Sequence, residues 1–518
     1  MKQSIELKKY ILIILALVIL ATLSKVMLLG TGNAHPTVRE ITLVCFLIII
    51  LSSSNKAYWY IGFPIIIVNA LYTPIGLNFG EPTYQYISSV VATDAMESQE
   101  FFTQIPIKNY LFAIFIIVAF IYYRKMTIKN GIFFYKNRTL LVCLAIIALI
   151  NQSPFKFFDN IYHSILNVKN EVNNLNEFTK KSEWGDSTLK VGTPQYDDYV
   201  LIIGESVRRD YMNAYGYPIK NTPFISKTNG IIVEGLTSGG TNTVASLRIM
   251  LTQSQKDEWL PNYGLNFVDL AKSAGYKVYW LSNQGFLGEF DTPITFIAKR
   301  SDIKKFNKMG AFNSKDTSDF SLVNVFQQEL DEKVSKKQKR LFVIHLYGSH
   351  PDACARIEDY KNNYRTKDNQ FNNISCYVAS IEKTDKILGL IYNSLKEQQK
   401  QTHRSFSMLY FADHGLSHSL IDDQIKLNLS HVSAKVLNIP LMMFNSDSNT
   451  KEIIKSYKSG KLFTTGLANW LNIKNKKIDP NYSLFSSYND DNLDIFKNKF
   501  NELRDGEEDD LPIDIREK

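Results

Sequence analysis

The apolar residues of this chain are distributed unevenly, and its two halves follow different patterns. Most long uncharged runs lie before residue 154, whereas the remainder alternates short apolar runs with helix-like amphipathic stretches. The long runs are typical of membrane-spanning helices and the short ones of a soluble domain. We therefore expect a transmembrane domain over 1–153, interfacial helices and a linker over 154–197, and a soluble domain over 198–518. A solvated connector is an equally good interpretation of 154–197.

Five apolar segments are candidate membrane spans. A span needs about 20 apolar residues, so the first and third are long enough, whereas the other three depend on flanking residues. The first is too long for a cleaved signal peptide and lacks an obvious small-residue cleavage site. In chain order the five segments are Lys9–Leu29, Glu40–Ser53, Tyr58–Leu77, Tyr110–Tyr123 and Thr139–Ile150.

Charges in the short loops predict the orientation of these spans. The N-terminus and the loop 124–138 are basic, whereas the loop between the third and fourth spans carries several acidic residues, among them Glu81 and Asp94. Basic loops remain in the cytoplasm. With five spans, both basic stretches lie inside, and the acidic loop and the whole soluble domain lie outside.

The net charge of +8 and the four cysteines add limited information. Lys and Arg (59) are scattered among nearly as many Asp and Glu (51), without a basic run interleaved with aromatics, so we expect no nucleic-acid partner. Cys45 and Cys143 lie in apolar runs and are expected to be inert. Cys354 and Cys376 lie in the soluble part, where a disulfide is plausible outside the cytoplasm but is not proved by the sequence.

The soluble half alternates buried strands with helices, which favours a mainly parallel sheet covered by helices. Functional residues of such sheets gather at the carboxyl ends of the strands. The predicted strands are Tyr199–Gly204, Lys277–Leu281, Arg340–His345 and Ser407–Phe411, and the predicted helices are Phe267–Ala274, Asp319–Glu332 and Tyr377–Glu397.

Metal-type ligands follow three of these strands. Glu205 follows the first strand, Asp413 and His414 follow the last, and His350 comes shortly after the third. Two carboxylates and a histidine suit zinc, which prefers about four ligands. Taken singly, each motif is commonly a turn or a helix cap. Their joint placement at one edge of one sheet favours a metal site.

A candidate nucleophile lies between the first two predicted strands. Gly239-Gly240-Thr241-Asn242-Thr243 precedes a helix, whose first N–H groups can hold an anion. A hydroxyl there, in contact with a metal, can lose its proton and attack phosphorus. On the residues alone, a plain Ser/Thr helix cap is the simpler interpretation.

In combination, these motifs resemble those of a known family. Gly204-Glu205-Ser206, followed by Arg208-Arg209-Asp210 and by Tyr215-Gly216-Tyr217-Pro218, resembles the opening motif of the bacterial phosphoethanolamine transferases, members of the alkaline phosphatase and sulfatase superfamily. Gly240-Thr241-Asn242-Thr243 is similar to their nucleophile motif. Gly348-Ser349-His350 and Asp413-His414-Gly415 match the later motifs in order. The resemblance covers nearly the whole chain. It implies a sulfatase-like α/β domain of the alkaline phosphatase type, periplasmic, on a five-helix anchor in the bacterial inner membrane.

The resemblance assigns roles residue by residue. Glu205, Thr243, Asp413 and His414 would hold the catalytic zinc, with Thr243 as the residue that becomes phosphorylated.

The resemblance also assigns roles to three further residues. His350 and His431 resemble two histidines that contact the phosphate or a second zinc, although the stretch before His431 fits the family only loosely. Glu97 lies in a segment that resembles the one contacting the ethanolamine of the donor. An exposed loop glutamate is also an ordinary feature.

The implied reaction moves phosphoethanolamine from phosphatidylethanolamine to an envelope glycan or glycolipid through a zinc-bound phosphothreonine. We expect one or two zinc ions, inner-membrane lipid as a partner and a monomer. Pro351-Asp352 follows His350 where the family often has Gly-Pro, one disulfide replaces several, and Arg248 stands in place of a Pro-Cys pair. These departures favour lipopolysaccharide core or periplasmic glucan over lipid A as the acceptor.

Two alternatives remain open from the sequence. One is a phosphoglycerol transferase or another hydrolase of the sulfatase superfamily, although the Cys/Ser-x-Pro-x-Arg setting of a sulfatase nucleophile is absent. The other is a non-catalytic, membrane-anchored glycan-binding protein, which would bind no stoichiometric zinc.

Overall fold

The chain forms two compact units in a computed structural model. The first comprises Met1–Ile87 and Phe101–Asn170, and the second comprises Ser88–Glu100 and Glu171–Lys518. The predicted domain limits at 153 and 197 remain predictions. The residues that the structure describes are 2–82, 95–137, 139, 142, 157–166, 169–170, 182–192, 195–254, 260–284, 292–307, 318–429, 433–490 and 511–518.

Apolar helices make up most of the first unit. Leu7–Gly30, Asn55–Phe79 and Ile107–Lys129 are long and apolar enough to cross a membrane, and they match the first, third and fourth predicted spans. The helix at the second predicted span has 14 residues, or about 21 Å at 1.5 Å per residue. The fifth, apart from residues 139 and 142, lies outside the described residues, so the count of five spans remains a prediction. The helices are α1 Lys2–Gly30, α2 Val38–Leu51, α3 Asn55–Phe79 (π-helical over Tyr58–Gly62), α4 Ala95–Thr103, which continues from the second unit into the first, and α5 Ile107–Lys129.

Close packing inside the first unit depends on small and aromatic residues. A Cβ atom on Gly76 of α3 would lie 2.1 Å from the Gly30 carbonyl oxygen of α1, so glycine allows these two helices to approach. Tyr58 stacks on Phe120 of α5 with ring centroids 4.6 Å apart. These contacts join α1, α3 and α5 into one bundle.

The second unit is built on an eight-stranded sheet with the order β11-β3-β10-β7-β2-β6-β4-β5. Among the described strands of this sheet, β10 alone runs antiparallel to its neighbours. The prediction of a mainly parallel sheet is confirmed. The strands are β1 Thr188–Leu189, β2 Asp198–Gly204, β3 Gly230–Thr237, β4 Lys277–Ser282, β5 Ile303–Phe306, β6 Arg340–His345, β7 Phe406–Ala412, β8 Ser417–Ile421, β9 Gln424–Asn428, β10 Leu441–Asn445, β11 Lys451–Ser459 and β12 Ile473–Lys474.

Helices cover both faces of this sheet, as predicted. Phe326 of α10 packs at 5.3 Å on Phe342 of β6 on one face. On the other face, Phe463 of α13 packs at 4.4 Å on Phe411 of β7. The helices of the second unit are α6 Pro223–Lys227, α7 Thr243–Met250, α8 Phe267–Ser273, α9 Pro293–Lys299, α10 Phe320–Leu330, α11 Asn372–Thr402, α12 Ala434–Leu437 and α13 Phe463–Trp470.

The four central strands explain where the candidate site lies. β2, β6 and β7 are buried at every position, which is why they read as continuous apolar runs. Because β7, β2, β6 and β4 are parallel neighbours, their carboxyl ends meet at one edge. The residues that follow these strands therefore come together there.

Candidate metal centre

Three of the predicted ligands form a buried cluster at the carboxyl edge of the sheet. β2 and β7 pair in register up to Gly204 and Ala412, so Glu205 and Asp413 leave the sheet side by side. One ligand atom each from Glu205, Asp413 and His414 lie within 4.8 Å of one another. All three side chains are at most 2% exposed.

The distances leave a small central space between these side chains. His414 Nε2 lies 3.4 Å from Glu205 Oε1 and 3.4 Å from Asp413 Oδ2. His414 Nδ1 is 2.8 Å from the Gly415 carbonyl oxygen, which can only accept, so Nδ1 carries a proton. Nε2 is therefore the ring atom that faces the carboxylates, and the neutral ring would present its Nε2 lone pair to a metal.

Backbone geometry at the end of β2 fixes the two carboxylates. The Ser206 N–H donates to Asp413 Oδ1 at 3.0 Å, and the Ser206 hydroxyl donates to Glu205 Oε1 at 2.7 Å. The His414 N–H also donates to Asp413 Oδ1, at 2.8 Å. Gly348 packs against this turn, where a Cβ atom would lie 3.0 Å from the Glu205 nitrogen. The carboxylates are thus held from outside the cluster.

Thr243 completes the cluster as the first residue of α7. Its hydroxyl donates to Glu205 Oε2 at 3.0 Å and lies 3.4 Å from His414 Nε2. The helix cap is Asn242, whose side chain accepts from the Ala245 N–H at 2.9 Å, so the Thr243 hydroxyl does not serve as the cap. Thr243 is half-buried, which makes it the member of the group that a substrate can reach.

A glycine turn brings α7 to the cluster. A Cβ atom on Gly240 would lie 2.7 Å from the Ala245 carbonyl carbon, so the turn can fold onto the helix start only without a side chain. The Ser246 hydroxyl donates to the Asp413 carbonyl oxygen at 2.6 Å. The helix and the end of β7 are therefore tied together.

The electrostatics of the cluster favour a cation. Burial and the Glu205 carboxylate raise the pKa of Asp413 to about 7. Burial alone would raise the pKa of Glu205, but His414 holds it below its usual value. Burial alone would lower the pKa of His414, but the two carboxylates raise it to about 9. Among the described residues, Asp413 Oδ2 accepts no hydrogen bond. Two buried carboxylates, one imidazole and one hydroxyl fit a divalent metal such as zinc.

His350 lies near this edge but outside the cluster of ligand atoms. Its Nδ1 donates to the Pro351 carbonyl oxygen at 2.6 Å, and its ring stacks on Tyr347 at 4.9 Å. The Arg356 guanidinium lies 4.4 Å from the centre of the Tyr347 ring. Glu100 pairs with Arg356, and its Oε2 is 3.8 Å from His350 Nδ1.

The structure thus adds residues that the sequence analysis missed. Glu100 and Arg356 gave no signal, because no local pattern joins two residues so far apart in the chain. Gln284, whose Nε2 donates to Glu205 Oε2 at 3.2 Å, follows the end of β4 and could have been found there, as Glu205 and Asp413 were found at the ends of β2 and β7. His431 and the side chain of Glu97 lie outside what the structure describes.

The described cysteines are bonded in the second unit and free in the first. Cys354 and Cys376 form a disulfide between the segment after β6 and α11. In the first unit, Cys45 is a free cysteine whose thiol lies 3.2 Å from the Ser24 hydroxyl. Cys143 lies outside the described residues.

Comparison with known proteins agrees with this geometry. Residues 197–473 match the family model described as sulfatase. A putative phosphoethanolamine transferase of Haemophilus influenzae is 46% identical over 395 residues, covering 76% of this chain and 81% of that protein. The phosphoethanolamine transferase OpgE of Escherichia coli is 32% identical over 444 residues, covering 81% of each chain.

Solved structures show the same fold at low sequence identity. The integral membrane protein lipooligosaccharide phosphoethanolamine transferase A of Neisseria meningitidis has a TM-score of 0.61 at 14% identity, covering 89% of this chain and 97% of that one. The zinc complex of the periplasmic domain of Escherichia coli EptC has a TM-score of 0.51 at 18% identity, covering 59% and 90%. The chain belongs to the sulfatase family and, within it, to the phosphoethanolamine transferases.

Proposed function

We propose that this protein transfers phosphoethanolamine from phosphatidylethanolamine to an envelope glycan or glycolipid, with Thr243 as the nucleophile. The observation that carries the proposal is the half-buried Thr243 hydroxyl, 3.0 Å from Glu205 in a fully buried group of metal-type ligands. Glu205, Thr243, Asp413 and His414 would hold one zinc ion. All four belong to one chain, so a monomer suffices. The zinc in the related EptC domain supports the choice of metal.

In the first step, the attack of Thr243 on the donor phosphorus, the residues of the cluster have separate roles. The Thr243 hydroxyl already donates to Glu205 Oε2, so its proton can move toward that carboxylate as Oγ1 attacks phosphorus. The new bond joins Thr243 Oγ1 to phosphorus, and the bond to the diacylglycerol oxygen breaks. That oxygen takes up one proton. When bound, zinc would lower the pKa of the threonine hydroxyl and offset negative charge on the phosphoryl oxygens.

The second step reverses the first with a different alcohol or phosphate. An acceptor oxygen attacks phosphorus and loses its proton, and Thr243 Oγ1 leaves and regains one. Thr243 is the first residue of α7, so the first backbone N–H groups of this helix lie close to Oγ1 and can offset negative charge on the phosphoryl oxygens. The chain itself is therefore unchanged after each cycle.

The apolar helices give the enzyme access to its donor. Phosphatidylethanolamine lies in the bilayer, and three helices of the same chain are long and apolar enough to enter it. Anchoring raises the effective concentration of the domain at the lipid surface. We propose the bacterial inner membrane with the catalytic unit on the periplasmic side, and lipopolysaccharide core or periplasmic glucan as the acceptor.

The decisive experiment replaces Thr243 in the full-length protein. Thr243→Ala is expected to lower transfer at least about a thousandfold, as removal of a nucleophile does. Native enzyme incubated with phosphatidylethanolamine should show a phosphoethanolamine mass on the peptide containing Thr243. Thr243→Ser, which keeps a hydroxyl, should keep part of the activity and the adduct.

Thr228→Ala is the matched control. The Thr228 hydroxyl also makes a hydrogen bond inside the second unit, to the Phe224 carbonyl oxygen at 2.7 Å, but it lies just before β3 at the other edge of the sheet. This variant should transfer at the native rate. Transfer by Thr243→Ala at a rate near native, or an adduct on a different residue, would refute the proposal.

A further inference from the structure

Gln284 lies at the carboxyl edge of the sheet, just after β4, and contacts the candidate metal centre from outside. Its Nε2 lies 3.2 Å from Glu205 Oε2 and 2.9 Å from the Leu346 carbonyl oxygen. Its backbone N–H donates to the Ser282 hydroxyl at 3.0 Å. The residue is partly buried. Neither the zinc ligand set nor the proposed transfer steps use this side chain.

The chemistry of the two neighbours fixes how the amide is oriented. A carboxylate oxygen and a carbonyl oxygen can only accept hydrogen bonds, so both must face the NH₂ group of Gln284. A flipped amide would place Oε1 against two acceptors. Gln284 therefore donates both of its side-chain hydrogens, one of them to the Glu205 oxygen that also receives the Thr243 hydroxyl.

Glu205 is thus held at both of its oxygens. The Ser206 hydroxyl donates to Oε1 at 2.7 Å, and Gln284 donates to Oε2. A carboxylate held in this way cannot rotate freely about its terminal bond, which keeps its lone pairs directed at the cluster. Residues that orient metal ligands in this manner change metal affinity by about 10- to 100-fold.

A neutral donor is well suited to this position. Lysine or arginine would also bind Glu205, but its positive charge would compete with a divalent cation for the same carboxylates. The amide stabilises the ionised carboxylate and adds no charge. The negative charge of Glu205 and Asp413 remains available to the metal.

We propose that Gln284 is a positioning residue for zinc binding, which fixes the Oε2 atom of Glu205 in the orientation that the metal and Thr243 require. The proposal rests on the proposed function, because it assumes that Glu205 is a zinc ligand. It adds a residue, and a measurable effect on metal affinity, that the ligand set alone does not contain.

The test measures zinc affinity of the full-length protein in detergent by competition with a chromophoric chelator. Gln284→Met keeps the side-chain length but cannot donate, and its dissociation constant for zinc is expected to rise by about 10- to 100-fold. Gln284→Glu places an acceptor against two acceptors and should weaken binding further. At saturating zinc, the melting temperature of Gln284→Met should equal that of the native protein.

Gln338→Met is the matched control. The Gln338 amide also donates to two acceptors, the carbonyl oxygens of Gly275 and Lys339, each at 2.9 Å, and it lies at the opposite edge of the sheet. Its loss should leave zinc affinity unchanged. Should Gln284→Met fail to fold, Gln284→Asn, whose amide is one methylene too short to reach both acceptors, is measured instead with the same expectation.

The outcomes separate this inference from the proposed function. Zinc binding by Gln284→Met within twofold of native would overturn the role of Gln284 while leaving Thr243 as nucleophile. An equal loss of affinity in Gln338→Met would show a general destabilisation and would also overturn it. Absence of stoichiometric zinc in the native protein would overturn both proposals, whereas a phosphoethanolamine adduct on Thr243 with unaltered affinity in Gln284→Met would overturn this one alone.

Discussion

The two edges of the central sheet both bury carboxylates, but they neutralise them in different ways. At the amino edge, Asp198 is 1% exposed and accepts two hydrogen bonds from Arg340 and two from Arg404, at 2.7 to 3.0 Å. At the carboxyl edge, Glu205 and Asp413 have a single imidazole between them. Among the described residues, the arginines match the charge of Asp198 at the amino edge, whereas negative charge is in excess at the carboxyl edge.

This difference distinguishes a structural ion pair from a ligand site. A buried charge that its own chain matches contributes to the fold, whereas an unmatched pair of buried carboxylates is costly unless a cation arrives. The same strand places one carboxylate at each edge, because Asp198 is the first residue of β2 and Glu205 directly follows its last residue. The two residues are seven positions apart, which along a strand is about 23 Å. Substitutions at the two edges should therefore act independently.

The same substitution at both edges gives the largest contrast. Asp198→Asn leaves the buried Arg340 and Arg404 without their carboxylate, and loss of one partner from such a group costs about 3–5 kcal/mol. Asp413→Asn removes a like charge beside Glu205, so the zinc-free protein should be as stable as native or more so. Thermal unfolding of the full-length protein in one detergent, after chelator treatment, measures both.

A control addresses whether Asp198→Asn acts through charge. In Asp198→Leu/Arg340→Met, apolar side chains of similar size replace the Asp198–Arg340 pair, a change that is often close to neutral. Arg404 loses its carboxylate in both variants but keeps the carbonyl oxygens of Asp197 and Gln338 as acceptors. The double variant should be more stable than Asp198→Asn alone. If Asp198→Asn and Asp413→Asn destabilise the zinc-free protein equally, the contrast between the two edges is wrong.

The stability gained on zinc binding should depend on the carboxyl edge and not on the amino edge. A ligand that binds only the folded state at 100 times its dissociation constant adds about 2.7 kcal/mol of stability. Native protein should gain this increment on zinc addition, and Asp413→Asn should lose most of it. Asp198→Asn should melt at a lower temperature but keep the full zinc increment, because the two sites are distant.

Loss of the zinc-dependent gain in stability in Asp198→Asn would contradict this prediction. That result would mean that the amino edge holds the ligands in place. Magnesium at the same concentration is the control ion. It prefers oxygen ligands in octahedral geometry, so its increment should be much smaller than that of zinc.

The sequence predicted the carboxyl edge better than the amino edge, for a physical reason. Glu205, Asp413 and His414 each follow a continuous apolar strand, and parallel strands place their carboxyl ends at the same edge of the sheet, so the edge that holds these residues is predictable. The Asp198–Arg340–Arg404 group could not be predicted, because charged residues flanking a strand are ordinarily solvated. Strand order decides that β6 and β7 flank β2, and no local pattern encodes that order.

The antiparallel strand and the position of Gln284 were missed for related reasons. β10 is short and apolar, and a run of this kind does not reveal its direction. Gln284 follows a strand that the sequence did predict, but glutamine is not a metal ligand of choice, so its contact with Glu205 became visible only in three dimensions.

A fourth buried carboxylate combines features of Glu205 and Asp413 in a milder form. Asp385 of α11 accepts hydrogen bonds from the Phe224 and Ile225 N–H groups at 2.8 and 3.0 Å. Burial raises the pKa of Asp385 to about 6, although these two N–H groups oppose the shift. It thus has donors, as Glu205 does, and its pKa is raised by burial, as that of Asp413 is.

The sign of the resulting pH dependence follows from that pKa. The folded protein holds the Asp385 proton more tightly than the unfolded chain, whose aspartates titrate near 3.9. The stability that Asp385 contributes is therefore fully present below about pH 4 and is lost as pH rises through about 6. Between pH 5 and 7.5 this loss amounts to about 1.4 kcal/mol. The Asp385→Asn variant should not show this pH-dependent loss. Its free energy of unfolding relative to that of the native protein should therefore increase by about 1.4 kcal/mol between pH 5 and 7.5. Chemical denaturation of the chelator-treated proteins measures this difference. A relative stability that stays constant across the interval would show that Asp385 is ionised throughout. Two backbone N–H groups would then suffice to hold a buried carboxylate for which the described residues provide no cation.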